Sequence, residues 1–120
     1  MHDTSFLFGV MQMRITSRYT DGRLLIQPHG ELDHHSARQA MDEIIEAVDS
    51  TLPRELLLDM SKLSFMDSSG IAVIIKTNRR ITEAGGKMLI VSPQAQPQKV
   101  IEAAGIDRLI EIHSKWEVTT

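Results

Sequence analysis

The residues best suited to chemistry are Asp67-Ser68-Ser69-Gly70, two adjacent hydroxyls held between a carboxylate and a glycine. They lie inside FMDSSGIAVIIK, residues 65–76, with a hydrophobic pair before them and a nearly unbroken apolar run after. Such a string either only starts a buried helix or also presents a hydroxyl for modification. Asp and Ser are ordinary helix-capping residues, because their short oxygen side chains accept from the free N–H groups of a first turn. Those free N–H groups and the helix dipole also favour negative charge at that end. A phosphoryl group on either serine would therefore be tolerated, and it would add roughly −1.5 to −2 charge. Spacing alone does not choose between Ser68 and Ser69. Enzyme chemistry fits less well: the string is not Gly-x-Ser-x-Gly and lacks the Gly-Lys-Ser/Thr ending of a phosphate-binding loop. A serine nucleophile would need a histidine and a carboxylate within hydrogen-bond reach, and His34 and His35 are the nearest candidates. These two are adjacent, so they do not share a helix face. No HExxH-like spacing places them around a metal. A loop or helix-start role is expected for them, with at most a partner contact.

The elements that must position these residues read as follows. Residues 12–20 alternate passably and 24–28 are apolar, with Asp21-Gly22 between them: strand, turn, strand, the pattern of a β-hairpin. Residues 36–49 form the clearest helix, with Ala37, Ala40, Met41, Ile44, Ile45 and Val48 in one stripe. Ser36 with Gln39 fits a capping box, and Asp33 is the alternative cap. The segment 55–60 contains Leu56-Leu57-Leu58, apolar on both faces, as a central parallel strand requires. The run 71–75 is β-branched and by propensity a strand. A helix over 69–84 is nevertheless predicted, because Asp67, Ser68 or Ser69 can cap it and no turn signal appears before Gly85-Gly86. A strand there would also leave no crossover between the parallel strands at Leu56 and Met88. Lys76 and Arg80 are expected to share an exposed face. A strand over 87–91, a helix over 98–104 stopped by Gly105, and a short closing element containing Ile106, Leu109, Ile110 and Ile112 complete the order β-β-α-β-α-β-α. This is an α/β domain with a mixed sheet, an N-terminal antiparallel hairpin joined to parallel strands and packed with α-helices.

Composition narrows the function classes. The 120 residues suffice for one domain with its own core. Apolar residues at 42% against 24% charged mark a globular chain rather than a disordered one. A net charge of −3 offers no basic footprint for nucleic acid. Cysteine is absent, which removes disulfides, thiolate metal sites and a cysteine nucleophile, and fits a reducing compartment such as the cytoplasm. No apolar stretch nears the ~20 residues that span a bilayer, so no membrane partner is expected. The short apolar run 6–11 follows Asp3 rather than basic residues, which argues against a signal peptide. Residues 1–11 are expected to be a frayed or accessory extension, with Met11 or Met13 as an alternative start, and 12–120 to be the domain.

The segment FMDSSGIAVII following LLLDMSKLS resembles the signature of STAS domains, specifically of the anti-sigma factor antagonists. Gly30-Glu31-Leu32-Asp33-His34-His35-Ser36-Ala37 is similar to the family's loop before its first long helix, and Gly85-Gly86-Lys87-Met88 to its turn into the next strand. The resemblance runs over about residues 13–112, and its double match at 30–37 and 65–73 is nearest the sporulation-type members. It implies the STAS fold and a non-enzymatic regulator. The unphosphorylated antagonist binds an anti-sigma factor that is also a serine kinase and so releases a sigma factor, here sigma F. The kinase phosphorylates the serine directly after the motif aspartate, which ends binding, and a PP2C-type phosphatase resets the protein. The resemblance makes Ser68 the acceptor and Asp67, Ser69 and Gly70 the acceptor loop. Glu31, Asp33, His34, His35 and Ile71 become the neighbouring partner surface. No cofactor is implied, since ATP belongs to the kinase. The alternative within the family is a STAS scaffold or transporter-associated regulatory subunit. The chain departs from the pattern at its first dozen residues, which have no counterpart, and at its end, where family members often continue into a further helix.

Overall fold

A computed structural model describes residues 13–115. The extension read over residues 1–11 lies outside these residues. β1 (Arg14–Thr20) and β2 (Arg23–Leu32) form an antiparallel hairpin around Asp21-Gly22. Both turn residues have positive φ, 51° and 84°, and Asp and Gly are among the residues that tolerate this. Helix α1 (Ala37–Thr51) follows, then β3 (Glu55–Asp59), β4 (Leu63–Met66) and α2 (Ser68–Glu83). β5 (Lys87–Val91), α3 (Ala95–Ala103), a single 3-10 turn at Ile106–Arg108 and β6 (Glu111–His113) complete the order.

The sheet runs β1-β2-β3-β5-β6, with β4 beside the far end of β2. All pairings after the hairpin are parallel. β3 is central, and its three leucines divide between two buried layers, as its apolar run requires. Leu56 and Leu58 join Leu24, Ile26, Met88 and Ile90 under α1 and α2. Leu57 packs with Leu89 and Val91 on the opposite face. α1 contributes Ala40, Ile44 and Val48, a strict spacing of four. α2 contributes Gly70, Ile71, Val73, Ile74, Thr77 and Ile81, again one stripe. The β-branched run is therefore helical: tertiary burial of that stripe overrides its strand propensity.

Three readings need correction. β4 was not foreseen. β2 continues through Pro28 to Leu32; it pairs with β3 as far as Ile26 and with β4 from Gly30 (φ 99°), and the β2–β4 register slips by one residue between Gly30 and Glu31, passing over Ser64. The predicted Ser36–Gln39 capping box does not form, since Gln39 donates to Glu43 and the Ser36 side chain makes no cap bond. Arg80 does not simply share the exposed face of Lys76. Its guanidinium bonds Asp49 at 2.5 Å and ties α2 to α1.

Candidate functional site

The parallel pairing of β2 with β4 aligns Glu31 with Phe65 and Leu32 with Met66. The chain leaves the sheet at the same end from both strands, so Asp33–Ser36 and Asp67–Gly70 lie side by side. This is the carboxyl end of parallel strands, where open α/β sheets place their functional groups. Asp67 N–H donates to Leu32 O at 3.3 Å and links the second turn to the first strand.

Asp67 is the N-cap of α2. Its carboxylate accepts from Ser69 N–H at 2.8 Å, and its carbonyl accepts from Gly70 and Ile71 N–H at 3.0 and 3.4 Å. Ser68 begins the helix and is exposed, and its hydroxyl makes no hydrogen bond to any described residue. Ser69 is half-buried. Gly70 is buried because the helix start lies directly on Met66: a Cβ there would stand 2.3 Å from Met66 Cγ and 2.7 Å from Sδ. That contact explains the glycine, which occupies an ordinary helical conformation.

Asp33 holds the other turn. Its carboxylate accepts from His35 N–H at 2.9 Å and Ser36 N–H at 3.2 Å. Burial acts to raise its pKa, but these two N–H donors, the His35 ring and the Ser36 hydroxyl outweigh it, and the carboxyl is held below its ordinary value. Ser36 Oγ donates to Glu31 O at 3.0 Å and accepts from Asp33 N–H at 3.1 Å, closing the turn on itself. Glu31, His34 and His35 are exposed, and the two imidazoles lie 3.8 Å apart between ring centres.

The structure thus gathers Glu31, Asp33, His34, His35, Asp67, Ser68, Ser69 and Gly70 at one end of the sheet. Ile71 is also there, but its side chain is in the core. Its neighbour Ala72 is exposed, and Ser68, Ala72 and Lys76 form an outward stripe along α2. Two residues were missed. Phe65 is 37% exposed two residues before Asp67, and an aromatic residue beside the motif in a chain with 4% aromatics was the available signal. Gln96 bonds the backbone of Met66 from α3, across thirty residues of sequence, and no local pattern announces it.

Chemically, the arrangement is a protruding hydroxyl on a helix start, flanked by a mixed polar and aromatic surface. It has no nucleophile–base pair: neither His34 nor His35 bonds a serine hydroxyl among the described residues, as a hydrolase would require. A groove of about 360 Å3 lies over β1, β2 and β3, lined by Thr16, Ser17, Arg18, Leu25, Gln27 and Asp59, apart from the gathered residues. No group of three or more His, Cys, Asp or Glu side chains that could hold a metal occurs among the described residues. No helix among them is long and apolar enough to cross a membrane.

Comparison with known proteins agrees with this geometry. The STAS domain model matches residues 14–118. An anti-sigma F factor antagonist of Paenibacillus polymyxa is 27% identical over 103 residues, covering 86% of this chain and 88% of that protein. The structure of the anti-sigma factor antagonist SpoIIAA in its unphosphorylated form superposes with a TM-score of 0.71 at 24% identity, over 82% of this chain and 87% of that one. The phosphorylated form of the Bacillus cell fate determinant SpoIIAA gives 0.64 at 25% identity, over 82% and 90%.

Proposed function

We propose a function that proceeds from one fact: the chain belongs to the STAS domain family, among its anti-sigma factor antagonists. It is accordingly a regulatory protein and not an enzyme. Its unphosphorylated form binds an anti-sigma factor that is a serine kinase and frees a sigma factor. Phosphorylation of Ser68 ends that binding, and a PP2C-type phosphatase restores it. The Glu31–His35 loop, the intact Asp-Ser-Ser-Gly string and the name of the Paenibacillus relative favour sigma F and sporulation as the setting. The cytoplasm is the compartment, where the kinase finds its ATP. The working unit is the domain over residues 12–120, and the extension over 1–11 has no assigned part in it.

The observation that carries this reading is the contrast between the two serines. The Ser68 hydroxyl is exposed and bonds no described residue, whereas Ser69 is half-buried with its N–H held by the cap. A phosphoryl group on Ser68 would sit at a helix N-terminus, which favours it by ~0.3–1 kcal/mol in an exposed site. The domain can therefore take the modification without refolding. A partner surface fitted to the neutral turn cannot, and blocking binding about a hundredfold needs only about 2.7 kcal/mol. The docking surface is Glu31, His34 and His35 with Phe65, Ser68 and Ala72. Asp33 and Ile71 shape it from beneath rather than touching the partner.

The test is intact-mass and site-mapping spectrometry after incubation with the cognate kinase and ATP, with Ser68→Ala in parallel. One phosphate on Ser68, absent from the variant, is expected. In a partner titration Ser68→Ala should bind like the unmodified protein and Ser68→Glu about a hundredfold more weakly. No phosphate from a demonstrably active kinase, or equal affinity for all three proteins, overturns the switch.

A further inference from the structure

β4 is a short strand with a sheet partner on one side only. In a parallel ladder alternate residues point their N–H and C=O groups to opposite sides. Around the acceptor turn, Asp67 points its N–H to Leu32 of β2, so Met66 directs its own pair outward, where no strand follows. Gln96 fills that place. Its Oε1 accepts from Met66 N–H at 2.8 Å, and its Nε2 donates to Met66 O at 3.0 Å. A side-chain carboxamide carries the same donor and acceptor as a backbone peptide, so here it substitutes for a strand residue. Gln94, the residue before α3, holds the turn ahead of β4, donating to Ser61 O at 2.9 Å. Met66 is wholly buried, Pro97 beside Gln96 is buried, and α3 is anchored by Ile101. The clamp is therefore fixed at both ends.

We propose that Gln96 is a positioning residue for the acceptor turn: its carboxamide holds Met66 in register, and through Met66 sets Asp67 and Ser68. Met66 precedes the capping aspartate directly, and its side chain is what Gly70 packs on. Register at Met66 thus decides both the cap and the seat of the first helical turn. It follows that a displacement of α3 is felt at Ser68, so that α3 and the acceptor turn are mechanically coupled. This role rests on the reading of Ser68 as phosphoacceptor, but the clamp itself has a readout that does not.

The experiment compares wild type with Gln96→Leu, which keeps the bulk and loses both hydrogen bonds, and Gln96→Glu, which makes the contact depend on pH. In the glutamate variant a neutral carboxylic acid can accept from Met66 N–H and donate to Met66 O. Once ionised it sets a carboxylate oxygen against that carbonyl. Amide-exchange protection at Met66 is read by NMR against Leu57 and Ile90 as reference sites, and the kinase's kcat/KM on Ser68 is measured on the same proteins. Gln96→Leu should lose about fivefold to tenfold of the Met66 protection, the equivalent of one net hydrogen bond, with the reference sites unchanged. Gln96→Glu, whose ionised carboxylate still accepts from Met66 N–H while repelling Met66 O, should lose part of that protection near neutrality and recover it as pH falls through the carboxylate range, a step absent from wild type. Phosphorylation of Ser68 should fall in parallel with the lost protection in Gln96→Leu. Unchanged Met66 protection in the leucine variant, or no acid recovery in the glutamate variant, overturns the clamp. Lost protection with undiminished phosphorylation leaves Gln96 merely structural and overturns its positioning role. If wild type itself takes no phosphate on Ser68, the acceptor reading fails and the positioning role with it, while the exchange data still decide the clamp.

Discussion

The turns that open α1 and α2 follow two strands of one parallel pair, and both place an aspartate where the chain leaves the sheet. Their hydrogen bonds correspond closely, except that the Asp33 carboxylate also accepts from Ser36 N–H. Each aspartate takes the N–H two residues on into its carboxylate: His35 to Asp33, Ser69 to Asp67. Each gives its carbonyl to the N–H groups three and four residues on: Ser36 and Ala37, Gly70 and Ile71. In each, the residue after the aspartate is exposed, His34 in one and Ser68 in the other. The two differ at the fourth position. Ser36 locks the first turn through its hydroxyl, while Gly70 lets the second settle onto Met66. The comparison teaches that an aspartate-held turn alone says nothing about function here, since both helix starts have one. What separates them is which side chain the cap leaves free.

The fourth position should give the largest effect. Gly70→Ala puts a methyl group against Met66 Cγ and Sδ in a packed site. Overpacking of this kind costs ~1–3 kcal/mol, against which alanine recovers at most about 1 kcal/mol of helix propensity. A net loss of stability in urea titration is expected, with weaker partner binding because the acceptor turn moves. A variant as stable as wild type would mean that Met66 yields freely and that Gly70 is not needed for contact.

The hydroxyls give the next effect, and with opposite signs of importance. Ser36→Ala removes one donor and one acceptor from a half-buried turn, and about 1 kcal/mol of stability should go with them. Ser68→Ala removes a hydroxyl bonded to no described residue, so its effect on stability should stay within about 0.5 kcal/mol. The serine that matters to the fold is thus not the one proposed to matter to the switch. Equal costs in thermal unfolding would erase the distinction.

The same comparison marks what was legible in the sequence. Helices α1 and α2 were, because each carries a full apolar stripe that burial then satisfies. The aspartate caps were partly so: Asp67 was named among the caps and does cap α2, while Ser36–Gln39 looked like a box and is not one. Local spacing could not tell that Ser36 turns back to Glu31 O. β4 was hidden for a different reason. Its burial runs buried, exposed, exposed, buried, so it lacks strand alternation, and its pairing with β2 begins only at Gly30, beyond the β2–β3 ladder. Gln96 and Arg80 were illegible because their partners, Met66 and Asp49, are about thirty residues away and become neighbours only once α3 and α1 have docked. The motif resemblance carried the proposed choice of Ser68, which residue spacing left open; in the structure Ser68 is exposed and Ser69 half-buried.

The sharpest test of whether the two aspartates act alike uses pH. Asp33 has its carboxyl held below the ordinary value, because the donors of His35 and Ser36 bind the ionised form better than burial disfavours it. A carboxylate depressed on folding adds stability that is fully present above its unfolded pKa, near 4, and is lost as pH falls through the lower folded value. Asp33→Ala should therefore lower the Tm by a constant amount from neutrality down to about pH 4, and the gap to wild type should then narrow on further acidification. A gap that stays constant to the acid limit would mean that the ionised carboxylate contributes nothing beyond a neutral acceptor. The turn would then be held by the Asp33 carbonyl and the Ser36 hydroxyl, and the resemblance between the two helix starts would be one of backbone shape alone.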